Sequence, residues 1–280
     1  MATATAPSPG EVMASNLDKF YLARIVERQD LTANLWRIRV DPGGPFAHVP
    51  GQYATLGVVT PGKHVERAYS IASAPQEDLL EFFIENVPGG ELTPLLHELC
   101  VGDTLTCRKI AKGRFTLDKK SGHKNHLLIA TVTGVAPFVS MIRSMQHESR
   151  IAEIEHSIFL IDGASHSPEL GYLEEIGLAA AESQWLTFVP TISRPWDDPG
   201  WNGETGRVDD LIRKYTDMWG LTPETTSVYL CGNPTMIENS KDILKRRGWK
   251  KDGMKDEVYF VRGHHEPEPD RKLRPLTLSQ

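Results

Sequence analysis

The chain has 280 residues, enough for two domains that each bury a core. Its formal net charge of −6, from 31 Lys and Arg against 37 Asp and Glu, gives no basic balance for nucleic acid to exploit. No apolar run reaches the roughly 18 residues of a membrane span, and Met1–Pro7 lacks the cationic and apolar segments of a leader, so a cytoplasmic protein with no membrane span is expected.

Three cysteines, Cys100, Cys107 and Cys231, exclude a disulfide framework and a four-cysteine iron–sulfur cluster within the chain, and no metal is expected. The Ala/Thr/Pro-rich start reads as a flexible N-terminus over 1–17, and the polar stretch from His264 reads as a tail.

From Phe20 to about Ala111 short β-rich runs alternate with turn residues: Tyr21–Glu27, Leu35–Val40, Tyr53–Val59, Glu66–Ser70, Leu80–Glu85 and Thr104–Lys109. The spacing predicts an antiparallel β-barrel, closed or nearly so. Within it, Arg67-Ala68-Tyr69-Ser70 sets a cation, an aromatic face and a small hydroxyl side by side. That combination suits a planar cofactor with a diphosphate tail, such as a flavin stacked on Tyr69, its diphosphate on Arg67 and its edge near N5 on Ser70. The same four residues would also serve as an ordinary half-buried strand. Further on, Gly89 and Gly90 precede a short helix predicted over Leu95–Leu99, with Thr93 as its cap, a candidate anion site facing Arg67.

From His126 the period changes. Strands at Leu127–Ala130, Ser157–Ile161, Trp185–Thr191, Val228–Cys231 and Val258–Val261 alternate with helices at Pro137–His147, Glu169–Glu182, Arg207–Trp219 and Pro234–Arg247. Strict alternation predicts a doubly wound α/β parallel sheet with ligands at the carboxyl ends of its strands. Two motifs fall at such ends: Thr133-Gly134-Val135-Ala136-Pro137, a strand-to-helix phosphate turn, and Cys231-Gly232-Asn233-Pro234, which is expected to expose a thiol at the rim of the crevice.

In this order, Arg67-x-Tyr69-Ser70, the turn from Gly89-Gly90 to Thr93, Thr133-Gly134-x-x-Pro137 and Cys231-Gly232-x-Pro234 resemble the ferredoxin–NADP reductase superfamily over about residues 18–262. Gly51-Gln52-Tyr53 before the first motif and Gly206-Arg207 after Ser193-Arg194 are similar to the bacterial-type members. The resemblance implies an α+β two-domain protein: an FAD-binding β-barrel over 18–122, an NAD(P)-binding α/β domain over 123–262 and a tail over 263–280. It implies FAD held by Arg67, Ala68, Tyr69 and Ser70 on one side and by Gly90, Glu91, Leu92 and Thr93 on the other. NADP(H) would lie on Thr133 and Gly134, with Arg194 and Arg207 on its 2′-phosphate and Cys231 near the nicotinamide. Asp256-Glu257-Val258-Tyr259 is similar to the family's terminal Glu-x-Tyr, which makes Tyr259 the expected stacking residue, Phe260 its alternate, and Glu257 a partner in proton and electron transfer. Ser70, Cys231, Glu257 and Tyr259 are the catalytic residues so implied.

Two positions depart from the family pattern. Val132 stands where glycine is usual, and Ser165 stands where some bacterial members have arginine. The implied activity is hydride transfer between NADPH and FAD and single-electron exchange with ferredoxin or flavodoxin, with Lys63, Arg67, Lys250, Lys251 and Lys255 as basic residues for an acidic carrier. Two alternatives stand beside it: an NAD(P)H-dependent reductase component of an oxygenase or other redox system, and a non-catalytic flavin-binding subunit.

Overall fold

The structure, a computed structural model, describes residues 18–258. Six strands build the first half: β1 (Phe20–Asp30), β2 (Leu35–Asp41), β3 (Tyr53–Thr60), β4 (Lys63–Ser70), β5 (Leu80–Glu85) and β6 (Thr104–Arg108). They form one antiparallel sheet in the order β4-β3-β6-β1-β2-β5. The β1–β2 register slips between Ile25 and Glu27, a bulge of the kind that bends a strand and curls a sheet. The outer edges approach each other just past β4, where the Ala72 amide donates to the Glu81 carbonyl at 2.8 Å. The sheet is therefore a curled half-barrel, close to closure.

Period-two alternation decides which residues fill it. On β2, Trp36, Ile38 and Val40 point into the barrel with Leu56, Phe82, Ile84 and Leu105, while Arg37 and Arg39 point out. Strand β5 is buried on both faces. Leu80, Phe82 and Ile84 enter the barrel core, whereas Phe83 joins a second core shared with the other half of the chain.

That other half is a six-stranded sheet of β7 (Asn125–Thr131), β8 (Ser157–Ala164), β9 (Leu186–Ile192), β10 (Glu204–Thr205), β11 (Thr226–Gly232) and β12 (Met254–Val258). All its pairings are parallel, in the order β10-β9-β8-β7-β11-β12. Helix α1 (Thr93–His97) belongs to the first half; α2 (Ala136–Ser149), α3 (Leu173–Glu182), α4 (Val208–Met218) and α5 (Pro234–Arg246) flank this sheet. Leu128 and Ala130 of β7 pack with α2 and α3, while Leu127 and Ile129 pack with α4 and α5. The chain runs outward from β7 in one direction to β10, then returns to place β11 and β12 on the other side, so the order reverses between β7 and β11. In open sheets of this type, ligands bind beyond the strand ends at such a reversal. The two sheets share a core in which Leu35, Phe83 and Phe115 meet Phe138, Met141 and Tyr172.

Several expectations need correction. The last strand begins at Met254 rather than Val258, and the residues after Val258 lie outside the described ones. Lys255 sits inside that strand, where its ammonium donates to the Thr116 carbonyl at 3.0 Å and lies over the Tyr229 ring. The short helix starts at Thr93 rather than Leu95. A 3-10 turn over Val132–Val135 and the two-residue strand β10 were not expected.

Candidate functional site

The Arg67–Ser70 motif is the end of β4, opposite the start of β3: Tyr69 faces Ala54 and Ser70 faces Tyr53. Burial rises along the motif towards the end of the strand: Arg67 and Ala68 are exposed, Tyr69 is half-buried and Ser70 is buried. Burial raises the Tyr69 phenol, with the Arg67 charge opposing, so the ring is a neutral apolar platform with a hydroxyl. Arg67 and Lys63 converge on the carboxylate of Glu91, which Lys63 meets at 2.7 Å. Hydrogen bonds from Lys63 and then Arg67 hold the Glu91 carboxyl below the usual range.

Glu91 belongs to the second predicted motif. Gly89 takes a positive φ of 75°, and an added Cβ there would meet nothing within 4 Å, so this turn opens to space. Leu92 is buried in the barrel core. Thr93 does not cap the helix as expected: its hydroxyl accepts from the Val87 amide at 3.0 Å, closing the loop that holds Gly90 instead.

Across the molecule, a cavity of about 760 Å³ opens at the carboxyl ends of β7, β8 and β11. Thr131, Val132, Thr133, Ser165, Arg194 and Arg207 line it. The sequence therefore placed Thr133, Arg194 and Arg207 around one space. Asn233 accepts from the Thr235 and Met236 amides and so starts α5 at the rim, while its own amide donates to the Thr131 hydroxyl at 2.9 Å. Gly134 does not line the cavity. An added Cβ there would run into the Cys231 carbonyl, so this glycine lets the turn press against β11. Val132 has a φ of 49°, the one non-glycine residue in the left-handed region among the described residues. For a β-branched side chain that conformation is strained by about 1–3 kcal/mol, which is the physical content of its departure from glycine.

Cys231 differs from expectation. It is fully buried in the shared core rather than exposed at the rim, because β11 is covered on both faces. In register it lies between Ala130 of β7 and Glu257 of β12.

The two halves meet at Glu257. The Ser70 hydroxyl donates to its Oε1 at 3.0 Å, joining the end of β4 to the end of the parallel sheet across 187 residues of sequence. Burial raises the Glu257 carboxyl above the usual range, and the Ser70 hydrogen bond partly offsets this. Tyr259 and Phe260 lie outside the described residues.

A second junction was not anticipated. Glu81 on β5 accepts from Tyr172 Oη at 2.7 Å and from Arg143 Nη1 of α2 at 3.0 Å, and Arg143 Nε donates to Glu175 of α3 at 2.6 Å. Nearby, the Ser140 hydroxyl donates to the Ser73 carbonyl at 2.6 Å. Partners 62 and 91 residues apart leave no local signal in the sequence. Trp196, on the rim of the cavity, was also missed; its signal is an aromatic inside the turn-forming run Pro195-Trp196-Asp197-Asp198-Pro199-Gly200, between the two arginines.

The residues present fit the two groups that the motifs suggest. Arg67 and Lys63 are exposed cations held by one exposed carboxylate, able to turn to a diphosphate, beside the half-buried Tyr69 ring and the open Gly89 turn. A cavity with two arginines, two serines and a threonine-bearing strand-to-helix turn fits a phosphorylated nucleotide.

Comparison with known proteins agrees. Residues 23–116 match the family model of the oxidoreductase FAD-binding domain, and residues 128–242 that of the oxidoreductase NAD-binding domain. Ferredoxin–NADP reductase A of Sorangium cellulosum is 30% identical over 239 residues, 81% of this chain and 83% of that protein. The ferredoxin–NADP reductase of Pseudomonas aeruginosa is 29% identical over 247 residues, 84% and 92% of the two chains. Among solved structures, a ferredoxin NADP+ reductase from Neisseria gonorrhoeae with bound FAD and NADP superposes with a TM-score of 0.76 at 24% identity, over 86% of this chain and 99% of that one.

Proposed function

Since the chain belongs to the ferredoxin–NADP reductase family, we propose that it exchanges hydride with NADPH at a bound FAD and passes single electrons to or from ferredoxin or flavodoxin. The family membership makes it an oxidoreductase with FAD- and nicotinamide-binding domains; the carrier and the roles of individual residues are our reading. The single observation that carries that reading is the Ser70–Glu257 hydrogen bond, which joins the flavin motif to the end of the nucleotide sheet.

When bound, the flavin supplies the conversion between a two-electron hydride and single electrons. The chain supplies position and charge. Arg67 and Lys63 would turn from Glu91 to the diphosphate, and Tyr69 would cover one face of the ring. Ser70, whose one hydroxyl proton lies on Glu257, would hold that carboxyl at the flavin edge, and Glu257, raised by burial, would retain its proton there to higher pH than an ordinary glutamate. Thr131, Thr133 and the adjoining backbone would take the nucleotide's diphosphate, while Arg194 and Arg207 would take the 2′-phosphate. Buried Cys231 would act from beneath, by shaping the floor at the strand end. We further propose the division between the two domains at 122/123. For the electron carrier, exposed Lys250 and Lys251 are the basic residues that remain of the five once Lys63 and Arg67 are given to the diphosphate and Lys255 to Thr116 and Tyr229.

The test is anaerobic mixing of the purified holoprotein with NADPH and then with ferredoxin or flavodoxin. Reduction of the carrier at the expense of NADPH is expected; a protein that oxidises NADPH yet reduces neither carrier would sink the assignment of partner. The cavity makes a sharper prediction. Losing one charge-assisted contact costs about 1.5–3 kcal/mol, so Arg207→Gln should weaken NADPH binding by roughly 10- to 150-fold. The affinity for NADH should stay unchanged, because NADH lacks the 2′-phosphate. Equal losses for both nucleotides would remove Arg207 from the phosphate site.

A further inference from the structure

We propose that Trp196 is the platform on which the nucleotide's adenine stacks, and that in this chain stacking carries a share of nucleotide affinity that charge does not supply. The inference rests on reading the cavity as the nucleotide site, and goes beyond it by assigning a residue and a mode of binding.

Charge is the first reason. Among the described residues the cavity lining holds two cations, Arg194 and Arg207, against three carboxylates, Glu85, Asp209 and Asp210, a formal balance of −1. Arg207 is moreover shared with Asp209, whose Oδ1 its Nε meets at 3.4 Å. Position 165, on the loop facing Arg194, is a serine. A ligand carrying several phosphate charges is poorly held by that balance alone.

Trp196 supplies what is missing. Among the described residues it is the one aromatic side chain lining the cavity, and it is 74% exposed. Among the described residues it makes no ring contact with another aromatic. Its backbone is fixed on both sides. The Arg194 amide donates to the Ser165 carbonyl at 3.1 Å, the Asp197 amide donates to the Arg194 carbonyl at 3.1 Å, and the Asp198 carboxylate accepts from the Ser167 amide at 2.9 Å. The loop bearing the indole is thus stapled to the loop after β8, and the ring is presented by a pre-ordered segment. The chemistry of the ligand fixes the rest. In a 2′-phosphorylated adenosine the base and the phosphate hang from one ribose, so a ring that stacks on the base must adjoin the cations that hold the phosphate. Trp196 stands two positions from Arg194.

The experiment measures binding of adenosine 2′,5′-bisphosphate, NADPH and NADH to the holoprotein, by calorimetry and by tryptophan fluorescence. Base–aromatic stacking predicts that Trp196→Ala weakens all three ligands by a common factor of about 10. Arg207→Gln, by contrast, should act only on the two ligands that carry a 2′-phosphate. Trp196→Phe should keep the affinity and lose most of the ligand-induced quenching; because the chain has six tryptophans, the readout is the difference from wild type. The indole is exposed, so neither variant is expected to disturb folding. Unchanged affinities in Trp196→Ala, or full quenching in Trp196→Phe, would overturn the Trp196 assignment alone. A wild-type protein that binds none of the three ligands would overturn the nucleotide site and this inference together.

Discussion

Replacing Ser70 with alanine is expected to slow reduction of the bound flavin by NADPH by roughly 10²- to 10³-fold, the usual cost of removing one pre-positioned donor at a reacting centre. Ser70 is 4% exposed and its hydroxyl already donates to Glu257. That bond is the influence that lowers the Glu257 carboxyl against the effect of burial. Removing it therefore raises Glu257 further, and the pH profile of flavin reduction should move to higher pH. Glu257→Gln keeps an acceptor for Ser70 and removes the titration, so its profile should be flatter. The stability consequence has a definite sign. A carboxyl whose folded-state pKa is raised favours folding below its ordinary pKa, and that contribution is lost as pH rises through the raised value. Glu257→Gln should therefore equal wild type in acid and exceed it at neutral pH. A Ser70→Ala variant with a wild-type rate and an unmoved profile would show that the Ser70–Glu257 pair is structural only.

The second large effect is on the joint between the sheets. Glu81→Ala leaves the Arg143 guanidinium and the Tyr172 hydroxyl without their buried acceptor. Breaking a buried pair from one side costs about 3–5 kcal/mol, and since Arg143 keeps Glu175, about 3 kcal/mol is the reasonable figure. For a chain of this size that corresponds to a Tm lower by roughly 6–12 °C. Tyr172→Phe should cost about 1 kcal/mol, the net worth of one hydrogen bond. The two changes should be less than additive, because Glu81 is common to both. A Glu81→Ala variant that melts within 2 °C of wild type would mean that the shared apolar core holds the halves together without this network.

How much of the molecule is legible in its residues depends on the range of the forces involved. Strands β2, β3 and β5 are legible almost residue for residue, because alternation and turn residues are local. So are the reversal-point turns at Thr133 and Asn233, which sit where a strand period gives way to a helical one. The last strand is misplaced by pattern because Met254-Lys255-Asp256-Glu257 reads as polar. As a strand that among the described residues pairs only with β11, it leaves Asp256 exposed and lends Lys255 and Glu257 to neighbours far away in sequence. Cys231 looks exposed by position because strand ends usually are, whereas this one is covered by Gly134 and its turn. Thr93 looks like a cap, but its hydroxyl is engaged by the Val87 amide. Glu81, Arg143 and Tyr172 carry no signal at all: an ion pair between elements 62 residues apart exists only once the fold has formed.

The most direct measurement is the visible absorbance of the purified protein, reconstituted with FAD if needed, on adding NADPH and separately NADH without oxygen. The expected result is a yellow protein whose flavin band bleaches rapidly with NADPH and much more slowly with NADH at equal concentration. A protein that cannot retain FAD, or whose flavin band is unchanged by either nucleotide, would contradict the meeting of two nucleotides at Ser70 and Glu257.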